Sequence, residues 1–177
     1  SIGLWNCHAL AAALKDHIEI ERTKEIINAY EKVFYEELTN IFRKKLGLSE
    51  IKPNDLKLVE ELLTWMKKNK KDYTNTFREL SKEDNDLFED QEGKLWLEKY
   101  QERLKDEKNT PENRKQIMEQ SNPKFILRNY LAQEAIQDAE NSDFSKLYNL
   151  IEVLKKPYEE NVNFEDYAKA PPDWSKK

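Results

Sequence analysis

The sequence predicts an all-α fold, a bundle-like array of helices. Three observations predict it. Apolar residues recur every three or four positions along most of the chain, which is the spacing of one helix face. Glycine occurs three times and proline six, fewer than turn-rich β folds or long linkers require. Charged residues fill 37% of the 177 positions, close to the Glu, Lys, Leu and Ala mixture that favours helix.

Each element follows from its own stripe. Leu4, Cys7, Leu10, Ala11, Leu14 and Ile18 predict a helix over 4–18. Ile26, Ile27, Tyr30, Val33, Phe34, Leu38, Ile41, Phe42 and Leu46 predict a longer one over 23–46, with Gly47 placed as a C-terminal glycine cap. Pro53 suits the first turn of a helix over 54–69 that carries Leu56, Val59, Leu62, Leu63 and Met66. Asp72 can cap a shorter helix bearing Tyr73, Phe77 and Leu80. The acidic stretch 81–93 reads as loop with a helical turn, before a helix over 94–105 on Leu95, Leu97, Tyr100 and Leu104.

Thr110-Pro111 reads as a cap followed by a first-turn proline. Asn122-Pro123 opens a helix over 123–140. Ser142 or Asp143 caps another over 144–155, with Leu147, Leu150, Ile151 and Leu154, which stops before Pro157. Residues 156–177, with Pro171-Pro172, read as an extended surface tail. No fixed-period repeat and no Gly/Ser-rich linker divides the chain, so 1–177 reads as one all-helical unit.

Composition excludes several function classes. A net charge of −5 and a pI near 5.3 argue against a nucleic-acid partner, which calls for a basic face. No apolar run approaches the roughly 18 residues of a membrane span. The single cysteine, Cys7, forms no internal disulfide, which fits the cytoplasm or another reducing compartment. The start lacks a basic region and a small-residue cleavage site, so it is not a signal peptide. The helical pattern begins almost at Ser1, as expected of a piece cut from a longer protein; a processed or retagged intact protein is the alternative.

Candidate chemistry is sparse. Three scattered glycines make no phosphate loop. His8 and His17, nine residues apart on the expected first helix, fall on opposite sides and share no metal. Cys7 lies on the apolar stripe and reads as a small core residue, not a nucleophile. The run Asp84 to Glu92 invites a calcium loop, but Phe88 and Glu89 stand where a ligand and a glycine belong, so a solvated loop is the better reading. Aromatic and basic residues stand close together in places, such as Trp65 to Lys71, which at helical spacing is a core stripe beside a charged face.

One residue breaks the pattern. On a wheel from Leu127 to Ala139, Arg128 falls within the apolar face of Leu127, Leu131, Ala132, Ala135, Ile136 and Ala139. Such an arginine either snorkels to water or pairs with a carboxylate, since an unpaired buried charge is costly. The paired reading is preferred.

At these residues a family resemblance emerges. Asn122-Pro123-Lys124-Phe125-Ile126-Leu127-Arg128-Asn129-Tyr130-Leu131-Ala132 resembles the Asn-Pro-Lys-aromatic-aliphatic-Leu-Arg-Asn segment of the selenoprotein-O family, pseudokinase-fold protein adenylyltransferases. Trp5-Asn6 with Leu10-Ala11 resembles its Trp-Asn helix, and Asp72-Tyr73-Thr74-Asn75-Thr76-Phe77-Arg78 its Asp-Tyr-Thr segment. Asn141-Ser142-Asp143-Phe144-Ser145, Pro157-Tyr158 and Pro171-Pro172-Asp173-Trp174 continue the order. The resemblance runs from about Ile2 to Trp174, and because Asp72 opens the other segment that carries it, Asp72 is the first candidate partner of Arg128 and Glu79 the second.

The resemblance implies AMP transfer from ATP to protein hydroxyls, with Mg or Mn, in the full-length parent. It also implies that the nucleotide lysine, its glutamate partner, the catalytic aspartate and the metal-binding Asn and Asp lie upstream of the Trp-Asn helix. No catalytic, cofactor-binding or metal residue is therefore assigned to this chain. The family's redox cysteine or selenocysteine near the C-terminus has no counterpart here. The implied partners are the missing N-terminal kinase-like region and the parent's protein substrates. A stand-alone helical interaction module is the rival reading; a catalytic fragment with an unrecognised site has little support. Trp5 and Ala12 lie off the main stripe of the first helix, so that helix is expected to present a second apolar side, exposed or paired in a dimer.

Overall fold

The structure, a computed structural model, describes residues 2–82 and 86–175. Every regular element among them is helical: α1 (Ile2–Ala13), α2 (Ile20–Lys45), α3 (Asp55–Lys68), α4 (Tyr73–Glu79), α5 (Gln91–Leu104), α6 (Pro111–Ser121), α7 (Asn129–Glu140), α8 (Ser145–Lys155) and α9 (Glu165–Ala168). The all-α expectation holds. By packing, the chain divides into two compact units, 1–42 and 43–177.

The first unit holds α1 and most of α2. Of the predicted stripe, Leu4, Cys7, Ala11 and Leu14 are half-buried, whereas Leu10 and Ile18 are exposed. Gly3 sits against Tyr30: a Cβ there would lie 2.1 Å from the tyrosine hydroxyl oxygen, so only glycine fits without a shift. The expected helix over 4–18 ends at Ala13. Beyond it the chain tightens into short turns, with Leu14 N–H donating to Ala11 O at 3.2 Å and His17 N–H to Leu14 O at 2.9 Å. None of the described residues of 2–42 is buried.

The second unit carries the core. The end of α2 closes as the sequence predicts. Gly47 has φ +68°, Leu48 N–H reaches Arg43 O at 2.8 Å, and Gly47 N–H reaches Lys44 O at 3.1 Å, the paired bonds of a Schellman cap. α3 packs on α5 around Val59, Leu62, Trp65, Met66, Trp96 and Tyr100, all buried. Trp65, Phe88, Trp96 and Tyr100 form a column of rings with successive centroids 4.6, 5.1 and 5.3 Å apart. Their polar atoms are matched: Trp96 Nε1 donates to Leu58 O at 2.8 Å and the Tyr100 hydroxyl to Leu46 O at 2.6 Å, as buried donors require.

Three further boundaries differ from expectation, all in the second unit. Of the stretch 81–93, residues 83–85 lie outside the described residues, and 86–93 are not simply a solvated loop. Phe88 is in the core, and Asp90 caps α5 by accepting from Gly93 N–H at 2.9 Å, so that helix starts at Gln91. The helix expected over 123–140 begins at Asn129. Residues 123–128 are instead drawn out, with Lys124 and Phe125 N–H both donating to Pro157 O, at 2.7 and 3.0 Å. Residues 156–175 are not wholly extended: a 3-10 turn over Val162–Phe164 leads into α9. α7 and α8 pack together around Tyr130, Leu131, Ala135 and Leu150, with Tyr167 of α9 against them.

Candidate functional site

Three of the segments that carry the family resemblance, 72–78, 122–132 and 157–158, meet one another in the second unit. Asp72 caps α4, its carboxylate accepting from Asn75 N–H at 2.9 Å. The same carboxylate takes a two-pronged bond from Arg128, Nη1 to Oδ2 at 2.8 Å and Nη2 to Oδ1 at 3.0 Å. Arg128 Nη2 also reaches Asn75 Oδ1 at 3.3 Å. Planar fork on planar carboxylate is the geometry for which arginine, not lysine, is suited. Burial pushes the Asp72 carboxyl up; the Arg128 and Asn75 hydrogen bonds and the guanidinium charge together outweigh it and hold the group below the usual carboxylate range.

The expected Arg128–Asp72 pair is therefore present, but for a different reason than the wheel gave. Arg128 lies at the N-cap position of α7 in extended conformation, φ −91° and ψ 141°, so it is not on that helix's apolar face. Leu127 and Ile136, counted as core positions, are exposed. Glu79 pairs with Lys82 at 2.7 Å.

A second arginine, which sequence reasoning left unassigned within its segment, binds this region together. Arg78 is buried. Its Nη1 donates to Glu119 O and Asn122 O at 3.0 and 2.9 Å, and its Nη2 to Tyr158 O and Glu160 Oε1 at 3.2 and 2.7 Å. One side chain thus holds the end of α6, the Asn122-Pro123 turn and the chain after Pro157. Glu160 and Glu165 both bind Lys124 Nζ. Burial raises the Glu160 carboxyl, but Arg78 and Lys124 pull it below its ordinary value.

Asn122 is fully buried and closes the lattice from the other side. Its Nδ2 donates to Lys45 O at 2.8 Å, and its Oδ1 accepts from Lys45 Nζ at 3.2 Å. That ammonium also stands over the rings of Tyr73 and Phe77, at 5.5 and 5.3 Å, an arrangement worth roughly 0.5–2 kcal/mol. Burial lowers the Lys45 pKa.

A third network, also missed, sits between α3 and α5. Arg103 Nε donates to Asp55 Oδ1 at 2.7 Å and its Nη1 to Glu107 Oε1 at 2.8 Å, while Glu107 Oε2 accepts from Ser49 N–H and Oγ at 2.7 and 2.6 Å. The one available signal was Glu107 four residues after Arg103.

The remaining sequence candidates stand apart. His8 and His17 are exposed and Cys7 is half-buried. Asp84 lies outside the described residues; Asp90 is engaged as a cap and accepts from Trp65 Nε1 at 2.8 Å. Trp65 is a core residue with Lys71 Nζ 5.5 Å from its ring centre. Trp174 of the closing Pro-Pro segment sits edge-on to Tyr130 at 6.3 Å. Among the described residues no group of three His, Cys, Asp or Glu side chains is placed to hold a metal ion. No described helix is long and apolar enough to cross a membrane. The Arg78, Lys124 and Arg128 head groups are engaged by protein oxygens, so these residues do not fit a nucleoside triphosphate and its divalent metal. The arrangement fixes three chain segments to one another.

Comparison with known proteins matches residues 1–155 to the protein adenylyltransferase SelO family. Protein nucleotidyltransferase YdiU of Pseudomonas fluorescens is 42% identical over 185 residues, covering 99% of this chain and 38% of that protein. YdiU of Vibrio parahaemolyticus is 41% identical over 190 residues, covering 99% and 39%. YdiU of Herminiimonas arsenicoxydans is 38% identical over 186 residues, covering 98% and 37%. The chain therefore spans under two fifths of the length of these curated relatives.

Proposed function

The chain belongs to the protein adenylyltransferase SelO family, and from that membership we propose that it is the helical C-terminal region of an enzyme that transfers AMP from ATP to protein hydroxyls. In this reading the chain carries no catalytic, nucleotide or metal residue of its own. It continues and buttresses a kinase-like lobe whose ATP, Mg or Mn, and protein substrates are handled by the remaining region. Transfer of this kind depends on phosphate and metal contacts, which are implied to lie upstream.

One observation carries the reading. The segments 72–78, 122–132 and 157–158, which carry much of the family resemblance, bind each other through Arg78, Arg128 and the Pro157 carbonyl. Their polar groups are spent on holding the fold. Surfaces of unit 1 would serve equally a stand-alone helical interaction module, since Trp5 is 69% exposed.

The test is a chimera of the Pseudomonas fluorescens relative in which this chain replaces the matching region. With labelled ATP, metal and a protein acceptor, the chimera is expected to label the acceptor and the 177-residue chain alone is not. Labelling by the chain alone overturns the proposal; a folded chimera without activity favours the interaction module.

A further inference from the structure

We propose that the apolar face of α2 is a docking groove for the part of the family's protein that this chain does not cover. The inference rests on the reading above and adds where the two parts meet.

The first unit does not bury its own apolar surface. Residues 43–177 build a core with Leu46, Leu62, Phe77, Met118 and Phe125 almost fully enclosed. Over 2–42, among the described residues, none is buried, although this stretch is rich in large apolar side chains. A helix apolar on more than one side is normally covered on more than one side.

On α2, Ile26, Tyr30, Val33, Phe34 and Ile41 follow one another at intervals of four, three, one and seven, a single helical face. They line an open groove of about 570 Å³ with Ala29 and Leu38, and Glu37 is its one charged lining residue. Tyr30 and Phe34 stack within it, centroids 5.9 Å apart. Val33 and Ile41 remain 53% and 51% exposed. A contiguous apolar strip of this kind marks a contact surface on a water-soluble protein.

The occupant follows from length. Relatives at about 40% identity align with this chain over nearly all of it, yet it covers only 38% of the Pseudomonas fluorescens protein. Most of each relative is chain that has no counterpart here and that shares one molecule with the α2 face. A groove lined by aliphatic and aromatic groups with one carboxylate selects an apolar helix or loop from that region. The absence of a positive lining disfavours an acidic or phosphorylated partner.

Thiol labelling tests this without disturbing the fold. Val33→Cys and, as a control on the exposed face of α8, Tyr148→Cys are placed both in the 177-residue chain and in the chimera described above. Labelling with a maleimide is read at each position by peptide mass spectrometry. Val33→Cys is expected to react at least about tenfold more slowly in the chimera than in the chain, since a covered thiol reacts only from opened states. Equal rates at Val33→Cys in a chimera that transfers AMP overturn the groove and leave the family reading intact. Slowing at Tyr148→Cys by the same factor overturns it too, because protection would then be general. Protection of Val33→Cys in the chain alone that grows with chain concentration shows a second copy in the groove and overturns the proposed occupant. A folded chimera that does not transfer AMP counts against the reading of function instead.

Discussion

Replacing Arg128 by alanine strands the Asp72 carboxylate in a setting built for a guanidinium. The Arg128 and Asp72 side chains are 7% and 19% exposed, and two bonds of 2.8 and 3.0 Å join them. Breaking a buried pair by removing one partner costs about 3–5 kcal/mol, mainly through the charge left behind. Two features place this site at the lower end. Asp72 keeps its bond from Asn75 N–H at 2.9 Å, and its partial exposure admits water. The expected cost is about 3 kcal/mol, or a fall in melting temperature of about 6–12 °C for a domain of this size. Arg128→Lys retains the charge but not the fork, so it should recover about half of that loss. The double variant Asp72→Asn, Arg128→Ala should melt above Arg128→Ala alone, because no charge is stranded. Urea unfolding followed by circular dichroism gives each value. An Arg128→Ala midpoint equal to the parent's, or a double variant that is simply additive, refutes the argument that this pair is coupled.

Two cap positions share one backbone geometry and invite opposite substitutions. Gly47→Ala should destabilise by about 1–3 kcal/mol, since its φ is +68° and the new Cβ would lie 2.3 Å from Arg114 Cγ. Ser142, with φ +65°, occupies the same position after α7, with Asp143 N–H bonded to Asp138 O at 3.0 Å; Ser142→Gly should stabilise by about 0.5–1 kcal/mol in the same urea assay. Glu107 responds to pH. Burial raises its carboxyl, but Ser49, Arg103 and Glu50 hydrogen bonds bring it below its ordinary value. A depressed folded pKa gives stability that is present above the unfolded value of about 4.3 and is lost as pH falls through the folded value. Glu107→Gln should therefore cost most near pH 7, and the gap to the parent should narrow as pH falls toward about 3 in melts across that range. Arg78→Ala should free the chain after Pro157 from α6, seen as faster limited proteolysis beyond residue 156 with little change at α3.

The parts of the fold set by short-range rules were legible. The Schellman glycine at 47, the Asp72 cap and the Thr110-Pro111 start all depend on a few adjacent residues, and each stands where the sequence placed it. What failed depended on distant partners. Apolar spacing after Pro123 suited a helix, yet Lys124 and Phe125 spend their N–H groups on Pro157 O, over thirty residues away, and the helix starts at Asn129. Phe88 looked like the middle of an acidic loop until Trp65 and Trp96 closed around it.

The Arg128–Asp72 pair was reached through a helical wheel that does not describe residue 128, combined with a resemblance that linked the two segments. The second of these located the partner. Arg78 and Arg103 gave no comparable signal. In a chain with 30 basic and 35 acidic residues, charge alone does not mark the few that are buried. Their roles depend on carbonyl groups of Glu119, Asn122, Tyr158 and Glu50, which no side-chain pattern reveals.

Nucleotide binding by the chain alone tests the central claim most directly. In a calorimetric titration of the 177-residue chain with ATP and Mn or Mg, the account predicts only the heat of dilution, at concentrations where the Pseudomonas fluorescens relative is titrated in parallel. A saturable one-to-one isotherm for the chain would contradict the account, for it would place a nucleotide site among residues assigned here to holding the fold.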